Sequence, residues 1–168
     1  MRRLMLLRHA KADSPQGIDD HSRPLARRGR IESAAMGKYM AGQGLAPDLA
    51  IVSTARRAQE TWRLAQPAFA ADTVRRDDGR LYGASAQEML AIIQESPASA
   101  HVLLLVGHNP GLQQLAAGLI ATGRPSAVSR LQREYPTAGL AVIDFAAADW
   151  RQVSPRSGHL ERFETPES

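Results

Sequence analysis

Two histidines stand in the same sequence setting, each directly after a run of apolar residues and at the start of a turn. Leu4-Met5-Leu6-Leu7 leads into Arg8-His9, and Val102-Leu103-Leu104-Leu105-Val106 leads into Gly107-His108-Asn109-Pro110-Gly111. Short apolar runs bounded by turn residues read as buried parallel strands, and open α/β sheets bind ligands just beyond the carboxyl ends of such strands. Both imidazoles are therefore expected on one edge of one sheet. With an arginine beside the first and a Gly/Pro-bracketed loop around the second, the expected ligand is an anion, phosphate above all.

A neutral imidazole is a competent nucleophile toward phosphorus, and Arg8 beside His9 would both bind phosphate oxygens and disfavour the imidazolium. The same dipeptide also fits a strand-end histidine that bonds a carbonyl while Arg8 stays solvated. A second segment, Ser53 through Thr61, follows a strand and opens a helix. Its backbone amides and Arg56 would hold an anion together with the helix dipole, with Arg57 expected to point elsewhere on the turn. Two arginines at a helix start also read as surface charge.

In the third segment Gly107 allows close approach to a ligand, Pro110 is expected to begin a helix, and Asn109 joins the phosphate-binding set. His108 would donate a hydrogen bond to a phosphoryl oxygen as charge moves onto it. In the fourth, Asp20-His21-Ser22-Arg23-Pro24-Leu25, Arg23 is fixed in direction by Pro24 and oriented by Asp20, extending the cationic pocket. An ordinary surface ion pair fits equally well. His21 is expected near the mouth.

The elements that must position these residues alternate strand and helix signals, which points to an α/β fold. Strands are expected at about Arg3 to Leu7, Leu49 to Val52, Thr73 to Arg76, His101 to Val106 and Leu140 to Ile143, with an edge strand at Leu160 to Phe163. Helices are expected from about Ala26 to Ala41, from a Ser53 or Thr54 cap to Phe69, from Ala86 to Gln94, and from Pro110 to Ala121. The stretch from Ala10 to Arg23 reads as a polar loop.

Bulk properties narrow the classes. A chain of 168 residues with 43% hydrophobic residues is one domain with a full core. With no cysteine, disulfides and thiolate metal sites are excluded. The net charge of +4 and a pI near 10.1 do not make a nucleic-acid footprint. The cations are nearly all arginine, lysine occurring only at Lys11 and Lys38, and they are spread among acids. Aromatics are 5%, too few for a base-stacking platform. The apolar run at Leu4 to Leu7 ends at Arg8, too short for an export segment of ~7–15 residues or a spanning helix of ~20. No membrane partner and a cytoplasmic location are expected.

Together the four segments resemble the histidine phosphatase superfamily, also called phosphoglycerate mutase-like, and within it the small SixA-like phosphohistidine phosphatases. The resemblance rests on Leu7-Arg8-His9-Ala10-Lys11, on Asp20 with Arg23-Pro24-Leu25 and Arg28-Gly29, on Ser53 through Thr61, on Leu81-Tyr82, on Gly107 through Gly111, and on Thr137-Ala138. These occur in the right order from Met1 to Ile143. The resemblance implies that His9 is the phosphorylated nucleophile, that Arg8, Arg56 and His108 form the phosphate pocket, and that Arg23 and Asp20 stand beside it. The family's Arg-His-Gly is Arg8-His9-Ala10 here. Larger members place a general-acid Glu or Asp shortly before a Tyr-Gly pair, and Gly79 occupies that place, with Asp77 and Asp78 as acids in a shifted register.

The expected architecture is a single-domain three-layer αβα sandwich with a mostly parallel central sheet over residues 1–164, followed by a loose tail at 165–168. The expected activity is phosphohistidine hydrolysis on a signalling protein. Rival readings are a small-molecule phosphomonoesterase, a zinc hydrolase using His9, His108 and Asp20, and a non-catalytic phosphate-binding module. The resemblance implies neither a metal nor an organic cofactor.

Overall fold

The first strand, β1 (Arg2–Arg8), presents Leu4 and Leu6 to one side and Met5 and Leu7 to the other, and all four are fully buried. A strand buried on both faces requires cover on both faces, which is what the rest of the chain supplies. The computed structural model describes residues 1–166; residues 167 and 168 of the expected loose tail lie outside the described residues. The elements that follow are α1 (Arg27–Gly42), β2 (Leu49–Val52), α2 (Arg56–Ala65), β3 (Val74–Asp77), α3 (Ala86–Gln94), β4 (Val102–Gly107), α4 (Gly111–Leu119), β5 (Ile120–Gly123), α5 (Pro125–Arg133), β6 (Leu140–Phe145) and β7 (Gly158–Glu164).

The seven strands form one sheet in the order β3-β2-β4-β1-β6-β7-β5. Four of its pairings are parallel, and β6 runs antiparallel to both β1 and β7. Alternate residues divide the core. Leu4, Leu6, Ile51, Leu103 and Leu105 pack with Met89 and Ile93 of α3, Leu112 and Leu115 of α4, and Leu131 of α5. Met5, Leu7, Val52, Leu104 and Val106 pack with Met36 and Met40 of α1 and with Ala58 and Trp62 of α2. The result is the expected three layers.

The helix that follows β1 therefore covers one face, and the helix that follows β4 covers the other. β1 and β4 are parallel neighbours with Arg8 opposite Gly107. Chain leaving them to opposite sides opens a crevice at their carboxyl ends, the position where such sheets bind ligands.

Several boundaries depart from expectation. The strand at Gly158–Glu164 is not an edge: it lies between β6 and β5, and Leu160 and Phe163 are buried. β5 and α5 were not expected at all. β5 is four residues with Ala121 and Thr122 exposed, and α5 fully buries only Leu131, so neither carries a strong apolar pattern. The second helix ends early, at Ala65, where Pro67 lacks the N–H a continuing helix needs and the chain tightens into a 3-10 turn. Neither Ser53 nor Thr54 caps it; Ala55 holds the cap position without a side-chain bond. Pro110, after a cis bond from Asn109, sits one residue before α4 rather than inside it.

Candidate active site

The crevice is walled by three turns. His9 follows β1, Ser53 through Arg57 follows β2, and His108 follows β4. A fourth segment reaches over them: the loop after β1 is pinned at its neck by an antiparallel bridge between Ala12 and Leu25 and by the Ala26 N–H donating to the Lys11 carbonyl at 2.9 Å. Its tip, the 3-10 turn Asp20–Ser22, lies against the pocket. Gly29 allows α1 to press on this neck, since a Cβ there would stand 2.1 Å from the Lys11 oxygen.

His9 is buried and fixed. Its backbone N–H donates to the Gly107 carbonyl at 3.1 Å, and ring Nδ1 donates to the Ala10 carbonyl at 2.8 Å. A carbonyl only accepts, so Nδ1 carries the proton and Nε2 carries the lone pair. Arg57 Nε points at that lone pair from 3.3 Å. Burial pushes the ring's pKa down to about 3, aided by His108, Arg57 and Arg8 and opposed only by the Ala10 carbonyl. The ring is therefore held neutral, with its Nε2 lone pair free.

His108 stands with its ring centroid 5.1 Å from that of His9. Its Nε2 lies 2.7 Å from the Ser53 hydroxyl, and Ser53 Oγ also accepts from the Ala55 N–H at 3.3 Å. Burial, with Arg57 next in effect, lowers this imidazole to about 4. Arg8 donates to the Tyr135 carbonyl at 2.9 Å, while its Nε is buried without a hydrogen-bond partner. Burial and the nearby Arg57 lower its pKa, the mark of a cation whose charge is not compensated.

Arg57, not Arg56, completes the pocket. Arg57 is buried; besides His9 it donates to the Asp20 carbonyl at 2.7 Å and to Asp20 Oδ2 at 3.1 Å. Arg56 is exposed and pairs with Glu60 at 3.3 Å. The reason is helical phase. Ala58, Trp62 and Ala65 anchor α2 in the core, which turns Arg57 and Thr61 toward β1 and sends Arg56 and Arg63 outward to flank Glu60, whose Oε1 accepts from the Leu25 N–H at 2.8 Å. Thr61 Oγ1 accepts from the Ala10 N–H at 3.0 Å and donates to the Arg57 carbonyl at 2.7 Å, tying this helix face to the His9 turn.

The remaining expected residues divide. Asp20 is at the pocket and orients Arg57 through Oδ2, which also accepts from the Tyr82 hydroxyl at 2.5 Å; Oδ1 accepts from Arg23 at 3.1 Å. These donors, Tyr82 first, hold its carboxyl below the usual carboxylate range. Arg23 is bonded to Asp20 and to the Asp13 carbonyl, at the outer side of Asp20 from Arg57. Asn109 braces its own turn: Nδ2 donates to the Tyr135 carbonyl at 3.0 Å and Oδ1 accepts from the Gln113 N–H at 3.1 Å. Ser53, Arg57, Thr61 and Tyr82 were missed as individual residues. The apolar spacing at 58, 62 and 65 was the available signal for Arg57 and Thr61.

Both candidate acids are engaged by other side chains, Asp78 by Arg80 and Asp77 by Arg75 and Gln59. Asp78 is held ionised chiefly by Arg80, and burial of Asp77 is outweighed by hydrogen bonds from Gln59 and Arg75. Among the described residues no three His, Cys, Asp or Glu side chains converge as metal ligands, and no helix is long and apolar enough to cross a membrane. The zinc reading's set of His9, His108 and Asp20 is thus not assembled, since the Asp20 oxygens face Arg57, Arg23 and Tyr82.

The fold has known counterparts, although no family model matches the chain. An uncharacterized protein of Mycobacterium tuberculosis strain H37Rv is 37% identical over 162 residues, spanning 95% of this chain and 99% of its own. One from Mycobacterium leprae is 32% identical over 165 residues, at 95% and 99% coverage. Among solved structures, a SixA from Nakamurella multipartitia superposes with a TM-score of 0.86 at 28% identity, covering 99% of this chain and 97% of that one. A SixA from Agrobacterium tumefaciens gives 0.83 at 29% identity, with 98% of both chains covered. Over nearly the full length of each, the chain is similar to both SixA structures; it has the histidine phosphatase fold and is SixA-like within it.

Proposed function

We propose that this protein is a phosphohistidine phosphatase that works in two in-line steps through a phosphorylated His9. The observation that carries the reading is the donation of His9 Nδ1–H to the Ala10 carbonyl, which leaves the Nε2 lone pair facing a pocket with two guanidinium groups. In the first step Nε2 attacks phosphorus and the substrate's leaving group departs; in the second, water displaces the phosphoryl group from Nε2. Arg8, Arg57 and His108 stabilise charge on the transferring oxygens, the main contribution protein groups make to this reaction class. The chemistry so derived requires no metal, which a chelator tests.

The substrate class is supported by the SixA-type likeness and by the carboxylates. An alkoxide leaving from a phosphate ester needs a proton, and Asp77 and Asp78 are both held ionised by other side chains. A phosphorylated imidazole can take a proton on its ring before the P–N bond breaks and leave neutral. A phosphorylated histidine on a signalling protein, handled in the cytoplasm, is therefore the favoured substrate, ahead of a small phosphorylated metabolite.

Rapid quench with a phosphohistidine protein should trap phosphate on His9 that is labile in acid and stable in base. His9→Ala should abolish turnover while still binding vanadate or phosphate through Arg8, Arg57 and His108. Turnover surviving in His9→Ala removes the nucleophile assignment, and ligand binding without any turnover by the wild type returns the protein to the class of phosphate-binding modules. Faster turnover of small phosphomonoesters than of phosphohistidine proteins favours the phosphomonoesterase.

A further inference from the structure

Ser53, the first residue after β2, is fully buried, and its main chain is held on both sides. The N–H donates to the Val106 carbonyl of β4 at 3.0 Å, and the carbonyl accepts from Gln59 Nε2 at 2.8 Å. Val106 stands two residues before His108, so the bond that seats Ser53 also brings its hydroxyl to the imidazole, with Oγ 2.7 Å from Nε2. The hydroxyl does not cap α2; it serves His108.

The hydrogen-bonding capacity of the pair fixes where its protons lie. Burial holds the His108 ring neutral, so one ring nitrogen carries a proton and the other a lone pair. Ser53 Oγ accepts from the Ala55 N–H at 3.3 Å, and among the described residues His108 Nε2 is the only acceptor for the hydroxyl's own proton. With the ring proton on Nε2, the hydroxyl proton and the Nδ1 lone pair would both be buried without partners. With the hydroxyl donating to Nε2, only Nδ1–H is left, so this arrangement carries the smaller desolvation penalty. A buried donor without a partner calls for a functional reason, and Arg8 Nε, on the residue opposite Gly107 in the sheet, is a second one. Since Nε2 is occupied, Nδ1 is the one atom through which His108 can donate to a phosphoryl oxygen.

We propose that Ser53 is a positioning residue for phosphoryl transfer, its hydroxyl fixing the His108 tautomer so that Nδ1–H is the donor to the transferring group. Which imidazole nitrogen is protonated is set by the hydrogen bond that the other one makes. In the opposite tautomer Nδ1 would turn a lone pair toward the phosphoryl oxygen and repel it. No proton is transferred: Ser53 and His108 each keep their own, and the Nδ1–H bond strengthens as negative charge gathers on the oxygen. The inference rests on the proposed reading of His9 as the nucleophile and of His108 as part of the phosphate pocket.

Nitrogen-15 NMR of the His108 ring reads the tautomer directly. The wild type should show a protonated Nδ1 and an unprotonated Nε2, and added vanadate should shift the Nδ1–H resonance. Ser53→Ala should show both tautomers, and rapid quench with a phosphohistidine protein should find its phosphoenzyme forming more slowly by roughly 10–10², the range for one buried hydrogen bond left unmade. Ser53→Thr, which keeps the hydroxyl, should retain the single tautomer and most of the rate. Ser53→Ala also removes the acceptor of the Ala55 N–H, so the change is repeated in a His108→Ala background, where it should cause no further loss. An undiminished loss there would mean that Ser53 acts through the backbone at Ala55, which overturns the proposal. So does a wild-type ring protonated at Nε2, or a Ser53→Ala variant that forms the phosphoenzyme at the wild-type rate, and either result leaves the nucleophile reading intact. Absence of a His9 phosphoenzyme from the wild type ends both.

Discussion

Arg56 and Arg57 are adjacent and identical in type, and only their angular position on α2 separates a surface cation from a pocket cation. One residue is about 100° of helical rotation, enough to put one guanidinium on Glu60 in solvent and the other 3.3 Å from His9 Nε2. Arg57→Ala should therefore lower kcat/KM for phosphoryl transfer by roughly 10²–10³, about 2.7–4 kcal/mol, the range for losing one preorganised stabilising donor. Arg56→Ala should stay within the roughly ±0.5 kcal/mol typical of surface changes. Steady-state kinetics of both variants decides the matter, and equal losses would mean that the guanidinium near His9 does not bind the transferring group. Arg57→Lys should resemble the alanine variant, because an ammonium cannot reach His9, the Asp20 carboxylate and the Asp20 carbonyl together as the fork does.

At the scale of elements, the site depends on α2 being locked to the turn after β1, and Thr61 is the lock. Its hydroxyl accepts the Ala10 N–H, and the Ala10 carbonyl fixes the His9 tautomer. Thr61→Val keeps the shape but leaves that buried N–H unsatisfied, which should cost about 1–3 kcal/mol in urea unfolding. Nitrogen-15 shifts of the His9 ring should also show mixed tautomers, and a variant with wild-type stability and a single tautomer would refute the coupling. Elements with local signals were readable: Leu49–Val52 is a continuous apolar run, and Ala86–Gln94 begins at a capping box in which Ser85 and Glu88 satisfy each other's backbone amides. β5 and α5 were hidden because their stability comes from docking on β7 and α4. The choice between Arg56 and Arg57 was readable in principle, since residues 58, 62 and 65 mark the buried face; Asp20 meeting Tyr82 across 62 positions of sequence was not.

For the whole molecule, the two layers of helices exclude water from the crevice between β1 and β4 so well that two imidazoles are stored there uncharged, and this has a cost in acid. The folded pKa values of His9 and His108 are about 3 and about 4, below the ordinary 6.5 that an unfolded chain recovers. Between those limits the unfolded state binds protons that the folded state refuses, so stability rises with pH across the window and is lost as pH falls from 6.5. The depressed carboxylates Asp20, Asp77 and Asp78 act in a separate range, since their stabilisation is intact above their ordinary 3.8 and is lost only below it. Urea unfolding between pH 6.5 and pH 5 therefore reports mainly on the imidazoles, and each should contribute a loss of about 1.6 kcal/mol at 1.36 kcal/mol per pH unit, the unfolded ring being half protonated already at 6.5. His9→Asn, whose amide can still donate to the Ala10 carbonyl, should remove about half of that slope and be relatively more stable at pH 5 than at pH 7. A slope unchanged by His9→Asn would show that His9 binds protons in the folded protein as readily as in the unfolded chain, so that burial does not hold its lone pair free in acid.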